Sequence, residues 1–240
     1  MSAGRAFVAG ATGYTGRSVV AELCARGIDT LAHVRPDSSQ LEHWRGRFED
    51  LGARVDTTAW ELGALTSTLQ RERPTQIYAL LGTTNKVRKR GGRGSAVVDT
   101  HEAVDYGLTI MLLEAAVACG CRPRFVYLSA LGADGRSINA YMGVRKRVEA
   151  ALRGSGLPHV IARPAFISGE DREERRPAER VATTVFDGAL TVLGHVGAKS
   201  IQDHYSSITG PHLARRMVEL ACEAKQDVVI AEGASLHGSS

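Results

Sequence analysis

The stretch Phe7-Val8-Ala9-Gly10-Ala11-Thr12-Gly13-Tyr14-Thr15-Gly16 decides the fold. It reads as a short buried strand, then three glycines at three-residue spacing, then an amphipathic helix over residues 16–26. A strand that turns into a helix through glycines is the opening unit of a doubly wound, Rossmann-like α/β sheet. One glycine makes the tight turn, one lets backbone approach a diphosphate, and one lets the helix pack close to its strand. The amides and the positive dipole end of that helix then face the phosphates. The Gly-x-x-Gly-x-x-Gly spacing is one residue longer than the commoner dinucleotide fingerprint, and a purely structural turn is the alternative. Its position between first strand and first helix favours the binding reading. Gly10, Thr12, Gly13, Tyr14, Thr15 and Gly16 are the candidate diphosphate contacts.

Outward from that turn, short apolar runs alternate with helical patterns, as parallel β–α units require. Strands are predicted at 6–9, 30–34, 54–57, 76–81, 124–129 and 159–162, with helices at 16–26, 39–51, 62–71, 97–119 and 140–153. Val104, Leu108, Met111, Leu112, Ala115 and Ala116 recur at helical spacing in the fourth helix, which Gly120 ends. After Arg163-Pro164 the alternation breaks. Residues 170–180 are dense in both charge signs, 183–196 are more apolar, 213–224 read as a helix and 228–231 as a last strand. The chain is predicted to be one domain over residues 1–240, with 164–212 forming a small substrate-side lobe. The final Gly-Ala-Ser-Leu-His-Gly-Ser-Ser is expected to fray.

A chain of 240 residues can bury a substantial core in one such domain. Thirty Lys and Arg against 26 Asp and Glu give a net charge of +4, which suits anionic cofactors but does not demand nucleic acid. The four cysteines lack zinc-type spacing, the eight histidines are scattered, and no metal site is predicted. No secretory leader or apolar run of membrane-spanning length is evident, so a soluble, cytoplasmic protein without membrane or nucleic-acid partners is expected. The sequence is silent on oligomeric state.

The second strand ends His33-Val34-Arg35-Pro36, with no acid at its tip. An acid there serves the ribose hydroxyls of NAD, and a cation serves the 2′-phosphate of NADP. Arg35 is the candidate phosphate ligand because its planar fork matches phosphate oxygens. Asp37, just beyond, is the competing ribose ligand. NADP(H) is favoured over NAD(H).

These residues together resemble the atypical short-chain dehydrogenases/reductases, and within them the Tat-interacting-protein-like oxidoreductases, with a more distant similarity to NmrA-like regulators. The resemblance covers nearly the whole chain. It runs through the Gly10–Gly16 turn, Leu81-Gly82-Thr83-Thr84, and Leu128-Ser129-Ala130-Leu131-Gly132-Ala133-Asp134. It continues through Tyr141-Met142-Gly143-Val144-Arg145, Arg163-Pro164, and the charged run with Arg172, Pro177 and Glu179. It implies a Rossmann-like fold, NADP(H) binding and often a Ser-Tyr-Lys catalytic set. Ser129 ends the fifth strand and Tyr141 follows twelve residues later, at the start of a helix. A phenol there can deliver a proton to a carbonyl as hydride arrives, with the serine hydroxyl holding the same oxygen.

The lysine expected four residues after the tyrosine is replaced by Arg145, and Lys146 is rotated about 100° away on the helix. Arg145 therefore takes the role. A guanidinium can bind ribose hydroxyls but cannot release a proton near neutral pH. Leu81, Gly82 and Thr83, after the fourth strand, are candidate adenosine-side contacts, and Pro164, Ala165 and Phe166 candidate contacts to the nicotinamide end. Tyr141 and Arg145 also count as cofactor-binding. The basic stretch Lys86 to Arg93 reads as a solvated loop or as a cover for an anionic small-molecule substrate.

The expected function is NADP(H)-dependent hydride transfer with a carbonyl or alcohol substrate. The alternative is a non-catalytic NADP(H)-sensing regulator that acts through a protein partner. Isomerisation of a nucleotide sugar is disfavoured, because the chain leaves little room for a large substrate lobe.

Overall fold

The structure, a computed structural model, describes residues 4–82, 101–135, 140–168 and 207–237. Nine strands are present among them: β1 (Arg5–Ala9), β2 (Asp29–His33), β3 (Arg54–Asp56), β4 (Gln76–Ala79), β5 (Arg124–Leu128), β6 (His159–Arg163), β7 (Phe166–Ser168), β8 (Ser207–Thr209) and β9 (Val228–Glu232). Seven form one sheet in the order β3-β2-β1-β4-β5-β6-β9, every pair parallel. The order reverses between β1 and β4, and such a reversal opens a crevice at the carboxyl ends of the strands.

The helices are α1 (Tyr14–Ala25), α2 (Leu41–Asp50), α3 (Leu62–Glu72), α4 (Thr109–Ala118), α5 (Ala140–Gly154), α6 (Gly210–Glu223) and α7 (Ala234–His237). A π-helical stretch, His101–Leu108, leads directly into α4. The described part of the predicted fourth helix therefore exists, but its first eight residues are wound more widely than an α-helix. The Trp60 indole donates to the Leu108 carbonyl at the junction.

Successive strand residues serve opposite cores. Val8, Tyr78, Val126 and Val160 pack with Val19, Leu23, Leu213 and Met217 of α1 and α6. Phe7, Ile77, Phe125, Tyr127 and Ile161 pack with Leu65, Leu112, Val148 and Leu152 of α3, α4 and α5. Helices on both faces are why the strands read as continuous apolar runs rather than alternating ones.

Several boundaries differ from the sequence reading, each for a local reason. α1 begins at Tyr14, with Gly13 in the capping position, so Tyr14, Thr15 and Gly16 of the turn are helical. β4 ends at Ala79; the Leu80 amide still donates to Ala9, after which the chain leaves the sheet at the point where β1 and β4 part. The C-terminal segment does not fray over its described residues, because α7 buries Leu236 in the core. In the predicted substrate-side lobe, β7 and β8 pair in parallel, and residues 169–206 lie outside the described part.

At the opposite end of the sheet, Asp29 accepts from Arg5 (2.6 Å) and Arg54 (3.1 Å), and Glu72 accepts from Arg54 (3.1 Å). Burial raises the pKa of Asp29, but the two guanidiniums outweigh it and hold the carboxyl below its ordinary value; Glu72 behaves alike. A carboxyl depressed on folding contributes stability above its unfolded pKa of about 4 and loses it as pH falls. Thermal unfolding is expected to show Tm falling from pH 5 to pH 3, with a shallower fall in Asp29→Asn. An identical slope in that variant would remove the cluster from the acid response.

Candidate functional site

The glycine turn sits at the β1/β4 reversal and closes on it tightly. Gly10 has φ +80°, and a Cβ there would lie 2.6 Å from the Leu80 carbonyl oxygen, so both its conformation and its neighbour exclude a side chain. A Cβ on Gly16 would overlap the Gly10 carbonyl, which lets α1 start directly on the turn. The turn is held by Gly13 N donating to Gly10 O (3.0 Å) and Arg17 N to Gly13 O (2.9 Å). Gly13 supplies no capping side chain, and the first turn of α1 holds no acidic residue. The amides of Tyr14, Thr15 and Gly16 are thus the orphan donors that a helix start leaves, at the positive end of its dipole. A cradle of this shape and charge fits a diphosphate.

Of the other turn residues, Thr15 is buried, Thr12 half-buried and Gly13 exposed. The Tyr14 side chain turns away: its hydroxyl donates to the Ser168 carbonyl (3.2 Å) and its ring lies against Gly210, leaving no room for a Cβ there. Tyr14 can therefore offer a ligand its amide while its ring joins α1 to β7 and α6.

Arg35 projects from the loop after β2, 70 % exposed, with the equally open Asp37 carboxylate 3.7 Å away. An exposed pair of this kind is worth little, so either group can be recruited by a ligand. His33, the last residue of β2, is buried; desolvation lowers its pKa, and its Nε2 donates to the Thr58 carbonyl (2.9 Å). It is a neutral packing residue.

On the far side of β4 the exit Leu81-Gly82 meets Arg145. This side chain rises from α5, buried, and donates through Nη1 to the Tyr127 hydroxyl (3.0 Å) and the Leu128 carbonyl (2.8 Å). Its guanidinium stands 5.0 Å from the centre of the Tyr141 ring, four residues earlier on the same face. Burial alone lowers the pKa of Arg145, but Tyr127, Tyr141 and Asp105 outweigh it, so the charge is permanent. Burial pushes Tyr127 up to about 12, with Arg145 pulling only part of the way back. Lys146 points elsewhere, to the Gly135 carbonyl (3.0 Å).

Ser129 stands one residue beyond β5 rather than at the end of the predicted strand, and its hydroxyl is engaged. It donates to Glu149 Oε1 (2.6 Å), and that fully buried carboxylate also accepts from Arg163 Nε (3.0 Å), Arg163 Nη2 (2.6 Å) and Arg153 (2.8 Å). Arg163 reaches onward to Asp134 (2.6 Å) and Glu232 (2.9 Å). Holding a substrate oxygen by donation requires Ser129 to exchange its bond to Glu149, because a hydroxyl has one proton. The Pro164 carbonyl is likewise taken, by the Leu131 amide (3.0 Å); Ala165 is half-buried and Phe166 exposed.

Arg145 and Tyr141 stand together, as their four-residue spacing predicts; Asp105, Tyr127 and Glu149, to which the sequence reading gave no role, lie beside Arg145 and Ser129. Thr83 and the basic stretch Lys86 to Arg93 lie outside the described residues, as do Arg172, Pro177 and Glu179. Among the described residues, no helix is long and apolar enough to cross a membrane.

A family profile described as NAD(P)H-binding matches residues 10–193. The mitochondrial protein fmp52 of Emericella nidulans is 31 % identical over 188 residues, 75 % of this chain and 73 % of its own length. The chloroplastic protein TIC 62 of Oryza sativa subsp. japonica is 29 % identical over 171 residues, 66 % of this chain and 34 % of that protein. Among solved structures, UDP-glucose 4-epimerase from Brucella ovis in complex with NAD superposes with a TM-score of 0.64 at 16 % identity, covering 96 % of this chain and 78 % of the epimerase. At that identity the likeness speaks for the fold.

Proposed function

From the premise that this chain belongs to the NAD(P)H-binding family of atypical short-chain dehydrogenases/reductases, we propose that it is an NADP(H)-dependent oxidoreductase acting on a carbonyl or alcohol. The observation that carries this reading is the reach of Arg145. From α5 it extends over the Tyr141 ring to the β4 exit, the segment whose other side closes on the glycine turn. The diphosphate cradle and the acid/base pair therefore border one crevice.

When bound, the nicotinamide supplies or accepts hydride. The protein's share is positional and protonic. The first turn of α1 binds the diphosphate, with Leu81 and Gly82 lining the crevice beside it. Arg35 pairs with the 2′-phosphate, and the Pro164–Phe166 segment borders the nicotinamide end. Arg145 donates to ribose hydroxyls and keeps positive charge beside Tyr141. The Tyr141 hydroxyl gives its proton to the carbonyl oxygen in reduction, or takes it from the alcohol in oxidation. Ser129 orients that oxygen once its hydroxyl is released from Glu149. The substrate is a small molecule, and an anionic one suits the basic stretch from Lys86 to Arg93. The cysteines among the described residues are free thiols, which suits a reducing compartment such as the cytoplasm or an organelle interior.

One observation favours a second reading. Arg145 cannot pass on a proton and Ser129 spends its own on Glu149, as suits a protein that binds NADP(H) and reports its state to a protein partner. Paired calorimetric titrations of wild type and Arg35→Ala with NADPH and NADH test the cofactor assignment. NADPH is expected to bind wild type at least tenfold more tightly than NADH, and Arg35→Ala to lose about tenfold or more for NADPH alone. Equal affinity for both nucleotides in wild type overturns the role of Arg35. NADPH oxidation across a panel of aldehydes and ketones then separates the readings: tight binding with no turnover, and a partner whose affinity follows the cofactor, selects the sensor.

A further inference from the structure

We propose that Asp105 is a cofactor-binding residue that accepts a hydrogen bond from the nicotinamide-side ribose, forming with Arg145 a donor–acceptor pair for its two hydroxyls. This rests on the reading that the crevice takes NADP(H).

Asp105 belongs to the π-helical stretch before α4, and its side chain is fully buried. A widened helical turn moves a side chain off the register of its neighbours, and such turns recur where function needs a particular placement. Here the placement is specific. A Cβ built on Gly82 would lie 3.8 Å from Asp105 Oδ1 and 3.8 Å from Arg145 Nη2, with nothing nearer. An acid from one helix and a guanidinium from another thus flank a single point above an exposed glycine.

The glycine is informative because nothing local requires it. The backbone of Gly82 is not in the left-handed region, and the added carbon would make only ordinary contacts. What its missing side chain leaves open is the space between the acid and the guanidinium. Arg145 has only donors, and its Nε has no partner among the described residues although it is buried. The carboxylate oxygens of Asp105 are acceptors. A vicinal diol, whose hydroxyls both donate and accept, can bond to both at once. A phosphate or carboxylate in that space would oppose Asp105, and an amine would oppose Arg145. The ligand chemistry selected is a neutral sugar diol, and the end of the dinucleotide beside Tyr141 carries one.

The test compares NADP+ with 2′,5′-ADP, which holds the adenosine half and lacks the nicotinamide ribose. Dissociation constants by calorimetry are to be measured for wild type, Asp105→Asn, Asp105→Ala, Arg145→Met and the Asp105→Asn/Arg145→Met double variant. The isosteric Asp105→Asn keeps the fold testable if the alanine variant does not fold. Asp105→Asn is expected to weaken NADP+ by about 10-fold, the loss of one hydrogen bond to a charged group, and to change 2′,5′-ADP by less than twofold. Against the Arg145→Met background the same change is expected to weaken NADP+ further; no further loss would mean that Asp105 only positions Arg145, and would overturn the direct contact. Equal losses for both ligands, or none for either, also overturn it. A wild type that binds neither nucleotide fails the cofactor reading itself, whereas one that binds both but ignores Asp105→Asn fails only this inference.

Discussion

Tyr141→Phe is expected to lower kcat by about 10²–10⁴-fold on any carbonyl that the wild type reduces, the range a positioned general acid supplies. The dissociation constant for NADPH should move less than threefold. The asymmetry follows from what the substitution removes. Phenylalanine keeps the ring that lies 5.0 Å beneath the Arg145 guanidinium, so the cation–π contact and the placement of Arg145 survive. Only the hydroxyl, and with it the proton, is lost. Tyr127 is the other phenol on Arg145 and a poor substitute: it is buried in the core, its hydroxyl already accepts from Arg145, and burial pushes its pKa up to about 12. Arg145 cannot refill Tyr141 either, since a guanidinium does not give up a proton near neutral pH. The proton must come back from solvent. Turnover in Tyr141→Phe within threefold of wild type would take Tyr141 out of the chemistry.

Much of this frame is written in local sequence, because local rules govern it. The glycine turn, the apolar strands and the four-residue step from Tyr141 to Arg145 depend on neighbours a few positions apart. The same four-residue step continues to Glu149, so the stripe Tyr141–Arg145–Glu149 was readable as three polar residues on one face. An acid on that stripe is a signal that sequence reasoning could have used. Asp105 carries no such signal, because the π-helical winding of residues 101–108 takes it off α-helical register. Other features are legible only in three dimensions. The direction of the Ser129 hydroxyl depends on Glu149, twenty residues away, and Glu149 in turn on Arg163 from another strand. The pairing of β7 with β8 joins segments nearly forty residues apart, across a stretch that carries no periodic pattern.

Glu149→Ala is expected to destabilise the fold by about 3–5 kcal/mol, the cost of removing one partner from a buried ion pair. Arg163 is 3 % exposed, and both carboxylate oxygens of Glu149 accept from it. Its remaining partners, Asp134 and Glu232, are 56 % and 39 % exposed and cannot replace that contact from within the core. The guanidinium would remain charged, because it does not give up a proton near neutral pH, and Glu232 and Asp134 still raise its pKa once Glu149, the largest contributor, is gone. For a chain of this size the loss corresponds to a Tm lower by about 10 °C. Replacing both members, as in Glu149→Leu with Arg163→Met, should recover most of it, since no charge is then left buried alone. Ser129→Ala should cost about 1.5–3 kcal/mol in wild type and almost nothing once Glu149 is gone, because its hydroxyl serves the same carboxylate. Denaturant unfolding of wild type and the four variants, Ser129→Ala/Glu149→Ala among them, measures each of these values. A Glu149→Ala protein within 1 kcal/mol of wild type would break the argument. The network joins the ends of β5, β6 and β9, the strands that frame the crevice beyond Arg145. Its loss should therefore weaken NADPH binding as well as stability, although none of its members needs to touch the nucleotide.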